Sequence, residues 1–443
     1  MTPDAVVVGA GCAGLAAAVA LAAAGAKVSV LEATRHPGGR ARSFANAATG
    51  DVEDNGQHLL MGCYESFLRF AARTGGLEAV AFAPRLEVAM LHPGGEASIF
   101  RPAALPPPLD FLAGLSRLKG FSFRDIAAAG TLVRDVRVGA PGANGLTVAS
   151  WLAAAGVSPA GRALLWDPLA LAALNLDPET APATLLVEVL RRALLGGPEA
   201  ARIGFPSRGL DDVVAGPAAR YLGERGCEVL ARRPVERIET DGGGRFAAAV
   251  CRDGSRHEAG AAVIAVPPRA AAALLPPAAS AVTPERARAL GASPIVGVHL
   301  WFDREVADRP MAGLLDSPVH WVFDRGRLGG ARPPGYLALV RSAADDWIER
   351  GREEIVRVAA DEVRRFLPRS RSAVLVRSRV VKEREATARF TPGNLALRPP
   401  AETAIANLFL AGDWTDTGLP ATLEGAAASG ERAAALIERR PRC

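Results

Sequence analysis

Residues 5–8 are four small apolar residues in a row, the pattern of a parallel strand buried on both faces. An uncharged, alanine-rich run follows to about Ala24 and predicts a helix. Residues 27–31 then predict a second strand, ending at Glu32. Further along, the pattern predicts a helix over 62–82 and short strands at 86–91 and 97–100. After a proline break it predicts an amphipathic helix within 105–121, apolar at 109, 111, 112, 115 and 118 and basic at 117 and 119. Helices are expected at 125–138, 147–156, 159–174 and 182–195, and within them 166–175 is apolar and almost free of charge, suited to a lipophilic cavity or a plain core. From 205 the pattern changes. A turn over 205–210 and a helix at 211–223 lead to strands at 227–230, 235–238, 246–252 and 261–267, with Gly242–Gly244 as a hairpin turn. Strands at 294–302 and 336–341, a helix at 352–366 and a strand at 374–381 come next. A strand at 407–413, a loop at 414–421 and a helix opening at 422 close the pattern.

The first strand–helix junction carries a candidate chemistry. Gly9, Gly11 and Gly14 form G-x-G-x-x-G. Gly9 permits a tight turn out of the strand, Gly11 lets backbone N–H groups approach a pyrophosphate, and Gly14 lets the helix pack close to the strand. The helix N-terminus adds partial positive charge. Glu32, eighteen residues after Gly14, is placed to accept hydrogen bonds from a ribose diol. An acid there, rather than an arginine, favours an unphosphorylated ribose, as in FAD or NAD. The loop from Pro37 to Ser43 holds two glycines with Arg40 and Arg42 and suits a pyrophosphate or a flavin. Taken alone, the same residues read as a surface turn with solvated arginines. Asp51 to Leu60 is dense in polar groups, with Gly56 allowing close backbone approach. At the far end, Gly412 and Asp413 terminate a strand and a helix begins again. Both ends are therefore assigned to one nucleotide-binding domain, and the middle supplies an inserted substrate domain.

Composition changes this picture little. The 443 residues are 49% hydrophobic and 22% charged, ordinary for a soluble globular protein, and suffice for two or three domains or one large interleaved pair. Net charge is +5, and almost all the bases are arginine. No basic block with interleaved aromatics suggests a nucleic-acid partner. The mild excess of base could assist docking to an anionic membrane. Five cysteines (Cys12, Cys63, Cys227, Cys251 and Cys443) show no C-x-x-C spacing, so no metal site or dithiol is expected, and they fit a reducing cytoplasm. The uncharged run 5–26 lacks a basic leader and is interrupted by glycine, which argues against a signal peptide or span.

With Gly38-Gly39-Arg40 and the run Leu408 to Asp413 added, the motifs resemble the flavin amine oxidase and carotenoid desaturase superfamily. Five stretches resemble its squalene-associated, FAD-dependent branch, the hydroxysqualene dehydroxylases of bacterial hopanoid synthesis: 54–64, 166–175, 298–303, 383–387 and 412–425. The first and last are the most specific. The resemblance implies an α/β fold with a glutathione-reductase-type, Rossmann-like FAD-binding domain from 1–80, 205–290 and 390–443, interrupted by a discontinuous substrate domain from 81–204 and 291–389. It implies reduction of hydroxysqualene to squalene with reduced FAD as hydride donor. By motif match, Gly9, Gly11, Ala13, Gly14, Glu32, Ala33, Gly39 and Arg40 belong to the ADP half or the pyrophosphate, and Val235 to the adenine. Gly412 and Asp413 belong to the pyrophosphate and ribityl chain. Leu423, Glu424 and Ala426 open the helix facing the flavin N1 and O2 edge, and Gly56, Gln57 and His58 lie near the ring.

The implied reaction removes an allylic hydroxyl as water, so it needs a proton donor as well as a hydride. His58, Asp54, Asp167 and Asp416 are the candidate acids, each with a structural role as its alternative. A carotenoid-type desaturase shares the fold and a greasy tunnel but oxidises C–C bonds. An amine oxidase needs an aromatic cage, and the chain has three tyrosines, Tyr64, Tyr221 and Tyr336, none in the C-terminal motif. A non-catalytic lipid escort of the same fold would lack complete flavin motifs. An isoprenoid substrate also suggests a cytoplasmic protein with peripheral contact to the inner membrane through 105–121.

Overall fold

The computed structural model describes residues 3–45, 52–279, 282–329 and 334–439. Asp51 and Cys443 lie outside the described residues.

Five short apolar segments form one parallel sheet in the order Glu228–Leu230, Val28–Leu31, Ala5–Val8, Ala261–Ile264, Leu408–Leu410. The strands Ala5–Val8 and Ala261–Ile264 are buried at every position, as a parallel sheet covered on both faces requires. The helix Cys12–Ala23 is apolar all round and lies within the core. The helix Leu423–Glu438 packs against it through Gly430, where a Cβ would stand 2.2 Å from the Ala13 carbonyl oxygen. Both ends of the chain thus meet in one layer.

A second, seven-stranded sheet runs Leu375–Ala388, Ala292–Phe302, Tyr336–Arg341, Trp321–Asp324, Met311–Leu314, Val88–Leu91, Ala97–Phe100. The pairs are antiparallel except Met311–Leu314 with Val88–Leu91. Period-two alternation gives this sheet two apolar faces. Val296, Val298 and Leu300 meet Ile355, Ala359 and Val363 of the helix Arg352–Phe366. Met90, Trp321, Phe323 and Ala338 belong to the core shared with Phe111, Leu132, Trp166 and Leu186 of the helical layer.

Several expected elements are corrected. The helix expected at 62–82 spans only Glu65–Thr74, because Gly75 adopts φ +83° and ends it; a 3-10 turn and the strand Val80–Phe82 follow. The helix within 105–121 is only Leu109–Leu115. Phe205 and Pro206, expected in a turn over 205–210, belong to the strand Ile203–Pro206, paired with Leu60–Met61 and Val80–Phe82. The strand expected to end at 381 continues to Ala388 against Ala292–Phe302. The strands Met311–Leu314 and Trp321–Asp324 had no counterpart in the sequence pattern. Each is four residues long and buried throughout, so no alternation marks it.

Candidate functional site

The chain leaves the strand Ala5–Val8 through Gly9 at φ +102°, and Gly9 N–H donates to the Leu31 carbonyl at 2.8 Å. A Cβ on Gly14 would stand 1.9 Å from the Gly9 carbonyl oxygen, so only glycine lets this helix start against this turn. Gly11 differs: a Cβ there would meet nothing within 4 Å. Gly11 also caps the helix Cys12–Ala23 without a side-chain hydrogen bond, and no acid occupies the first turn. Gly38 runs beside it, its N–H donating to the Ala10 carbonyl at 2.8 Å. Open space, bare backbone and a helix N-terminus without a side-chain cap make a cradle for an anion.

The other end of the chain comes to the same place. The Cys12 thiol donates to the Leu423 carbonyl at 3.8 Å, so the N-termini of the first and last helices stand side by side. Ala13 is buried in the first turn, and Ala426 is buried in the first turn of the last helix. Burial, then Asp413 and Glu424, push the Cys12 thiol up, which keeps it protonated. Asp413 follows the strand Leu408–Leu410 and accepts from the Arg40 guanidinium at 2.7 Å. Arg40 also donates to the Ala386 carbonyl at 2.8 Å. Burial opposes the Arg40 charge, but Asp413 outweighs it and holds the guanidinium above its ordinary range. Arg40 is thus a bridge between chain ends rather than a solvated surface arginine. Gly412 N–H donates to the Ser429 hydroxyl at 2.8 Å, tying the Gly-Asp pair to the last helix.

Glu32 is buried at the tip of the second strand. Its two carboxylate oxygens accept from the Ala10 N–H at 3.0 Å and the Thr34 N–H at 2.8 Å, leaving a lone pair on each for a diol. Ala33 beside it is exposed, as is Gly39 in the facing loop. Arg233 N–H donates to the Glu32 carbonyl at 2.8 Å and Arg232 N–H to the Thr34 carbonyl at 2.9 Å, which brings the segment leading to Val235 alongside.

The stretch 53–58 is held by three arginines that no local sequence pattern marks, Arg325, Arg377 and Arg379. Arg325 pairs with Asp54 at 3.1 Å, each side chain 2% exposed, and a second guanidinium nitrogen reaches the Gln57 side-chain oxygen. Asp54 also accepts from the Ser43 hydroxyl at 2.8 Å and the Leu210 N–H at 3.0 Å. Glu53 is buried against Arg377 and Arg379. Asn55 donates to the Arg40 carbonyl and the Glu383 carboxylate, both at 3.1 Å. Gly56, at φ +80°, lies 3.6 Å from where a Gly297 Cβ would be, so two glycines let the stretch touch the seven-stranded sheet.

These contacts sort the candidate acids. Asp54 is engaged by three partners and anchors the stretch. Asp167 pairs with Arg162 at 3.1 Å in the helical layer, where burial pushes its carboxyl up. Asp416 is exposed in the loop after Asp413. His58 Nδ1 lies 3.0 Å from the Gly56 carbonyl. Burial lowers its pKa most, offset in part by that hydrogen bond and by Asp54. Nδ1–H therefore donates to Gly56 in the neutral ring, and Nε2 carries a proton only when His58 is an imidazolium. Of the four, only Asp54 and His58 lie on one short stretch of chain, Asp54 at the end of the strand Val52–Asp54 and His58 in the loop after it. Glu424 stands in the first turn of the last helix. Its carboxylate accepts from the Ser66 N–H at 3.2 Å and the Phe67 N–H at 2.9 Å, capping the helix Glu65–Thr74. A buried carboxylate takes such unpaired helix N–H groups in preference to an apolar surface.

Trp301 and Tyr336 stack on each other at 4.4 Å, and the Arg377 guanidinium covers the outer face of Trp301 at 3.6 Å. Their ring faces are not offered to an amine. Among the described residues no cluster could hold a metal ion.

The family model for flavin containing amine oxidoreductase matches residues 12–438. The chain is 34% identical to hydroxysqualene dehydroxylase of Sinorhizobium fredii and 35% identical to that of Rhodopseudomonas palustris, covering 97% of each chain in both cases. A 15-cis-phytoene desaturase of an Oncidium hybrid cultivar is 26% identical over 98% of this chain and 77% of its own length. Among solved structures, putrescine oxidase has a similar fold, with a TM-score of 0.70 at 20% identity over 99% of this chain and all of that one.

Proposed function

The chain belongs to the flavin containing amine oxidoreductase family and, within it, to the hydroxysqualene dehydroxylases, and we propose that it reduces hydroxysqualene to squalene with FAD as its cofactor. The observation that carries this reading is the end-to-end match to relatives of that name. The phytoene desaturases match at lower identity. The cradle fits FAD: two adjoining helix N-termini for the pyrophosphate, Glu32 for the ribose and the 53–58 stretch for the flavin side.

Bound in its reduced state, the flavin supplies the hydride. Gly9, Gly11, Ala13, Gly14, Gly39, Gly412 and Asp413 line the anion cradle, with Arg40 closing it. Val235 stands by the adenine end and Ala33 by the ribose. Leu423 and Ala426 belong to the second helix N-terminus, and Gly56 and Gln57 to the flavin end. The apolar layer with Phe111, Trp166 and Trp321 keeps water from the allylic centre, which gains positive character as its C–O bond breaks. A C–H bond forms in its place, and one proton leaves with the hydroxyl as water. The division into a cofactor domain at 1–80, 205–290 and 390–443 and a substrate domain is supported by the parallel sheet, all of whose strands come from the first set. The decisive experiment is anaerobic. Reduced holoenzyme mixed with hydroxysqualene should reoxidise in step with squalene formation by mass spectrometry. Flavin that stays reduced, with the alcohol intact, would transfer the reading to a desaturase.

His58 holds the proton for the leaving hydroxyl. His58→Ala should keep its flavin and lose turnover. Because burial lowers the His58 pKa, wild-type turnover should rise as pH falls below the ordinary histidine value. A pH-independent rate, or full turnover in the variant, would remove His58 from the role.

The finer proposal on location is peripheral membrane contact. No helix among the described residues is long and apolar enough to cross a membrane. Within 105–121, Phe111, Leu115 and Leu118 face the core, whereas Leu105 and Leu109 are exposed. Phe123 on the next helix is 93% exposed, and Arg117, Arg124, Arg134 and Arg137 are exposed in the same region. Exposed large apolar residues among arginines suit an anionic bilayer surface. The wild type should sediment with anionic vesicles, and Leu109→Glu with Phe123→Glu should not. A wild type that stays in the supernatant would refute this contact.

A further inference from the structure

A groove of about 800 Å³ runs between the helix Arg352–Phe366, the edge strand Leu375–Ala388 and the short strand Ser43–Ala45. It falls within the range of small-molecule sites, roughly 300–1,000 Å³. Six cations line it: Arg42, Arg352, Arg357, Arg364, Arg379 and Lys382. Three acids do so as well: Glu353, Asp361 and Glu383. The existing pairs leave a remainder. Arg364 pairs with Asp361 at 3.3 Å, Arg379 binds Glu53, and Lys382 is held by the Ile348 and Arg350 carbonyls. Glu383 accepts from Asn55. Among the described residues, Arg42, Arg352 and Arg357 form no ion pair, and Arg42 Nε is buried without a hydrogen-bond partner. Phe44 is flanked by the guanidinium groups of Arg42 at 4.9 Å and Arg379 at 5.1 Å, which fixes both in the groove wall. Val356, Ala360 and Leu375 give an apolar complement.

We infer that this groove binds a phosphorylated nicotinamide dinucleotide, the reductant that recharges the flavin. Guanidinium groups without carboxylate partners are donors suited to phosphate oxygens, and their fork geometry favours two oxygens at once. The groove shares a wall with the candidate flavin site: Asn55 lines it, bonds to the Arg40 carbonyl and immediately precedes Gly56. The identity of the ligand rests on the reductive reading, because each turnover consumes two electrons that the substrate does not return. In the recharging step the dihydronicotinamide C4–H bond breaks. Its hydride, with the electron pair, and one solvent proton pass to the oxidised flavin, and the nicotinamide leaves oxidised.

The test is binding, independent of hydroxysqualene turnover. Oxidised holoenzyme is titrated with NADP+ by calorimetry, with inorganic phosphate and anionic vesicles as separate arms. NADP+ should bind saturably. Arg352→Ala with Arg357→Ala should weaken it by at least about tenfold, since each removes charge-assisted hydrogen bonds to phosphate oxygens. The variant should retain flavin and its turnover with chemically reduced flavin, and Arg357→Lys should recover part of the affinity. Absence of NADP+ binding, equal binding by the double variant, or groove-dependent binding of vesicles alone would overturn the inference. If NADP+ binds but reduced flavin leaves hydroxysqualene unchanged, the groove stands and the substrate reading falls.

Discussion

Gly14→Ala should purify without bound flavin and with a lowered unfolding midpoint. The added methyl would stand 1.9 Å from the Gly9 carbonyl oxygen and 3.1 Å from the Ala265 side chain. The turn has no room to retreat, because Gly9 adjoins the central strand Ala5–Val8, which has parallel partners on both sides. Overpacking typically costs about 1–3 kcal/mol, and a carbonyl oxygen in a paired backbone belongs at the upper end. Gly11→Ala is the informative contrast. Its methyl meets no protein atom within 4 Å, so stability in urea should be near wild type while flavin occupancy falls. Visible absorbance per mole of protein, read beside the urea midpoint, separates the two effects. If Gly11→Ala holds full flavin, the cradle is not where the pyrophosphate lies.

Removing Arg325 should be the most damaging change away from the cradle. Asp54 and Arg325 are both buried, 3.1 Å apart, and Arg325 also holds Gln57. Breaking a buried pair from one side leaves an uncompensated charge and costs about 3–5 kcal/mol. Arg325→Met should lose that much in urea unfolding and loosen the 53–58 stretch, so flavin affinity should fall with it. Adding Asp54→Asn removes the stranded charge and should recover part of the loss. Additive effects of the two substitutions would mean that the pair is not coupled.

Much of the cofactor half was legible because its signals are local. The strand, turn and helix of 5–24 are written in consecutive residues, and only glycine can stand at 9 and 14 whatever lies elsewhere. The helix Arg352–Phe366 matched its expected bounds, since a 3.6-residue apolar stripe needs no distant partner to be recognised. Where a local signal was overridden, a nearby residue did it, as Gly75 ends the helix expected to reach 82.

The sequence by itself determined the glycine turn, the acid at the tip of the second strand and the Gly-Asp pair at the far end, together with the family these belong to. The tertiary structure decided which charges face one another. Arg325 is 271 residues from Asp54, and Arg40 is 373 from Asp413. It also decided that Glu424 caps a neighbouring helix, and that Arg40 is a bridge while Arg352 and Arg357 form no ion pair among the described residues. Backbone preference acts over a few residues and leaves its mark in consecutive letters. The pairing of a buried charge depends on which distant segment is folded against it, and no run of letters records that distance.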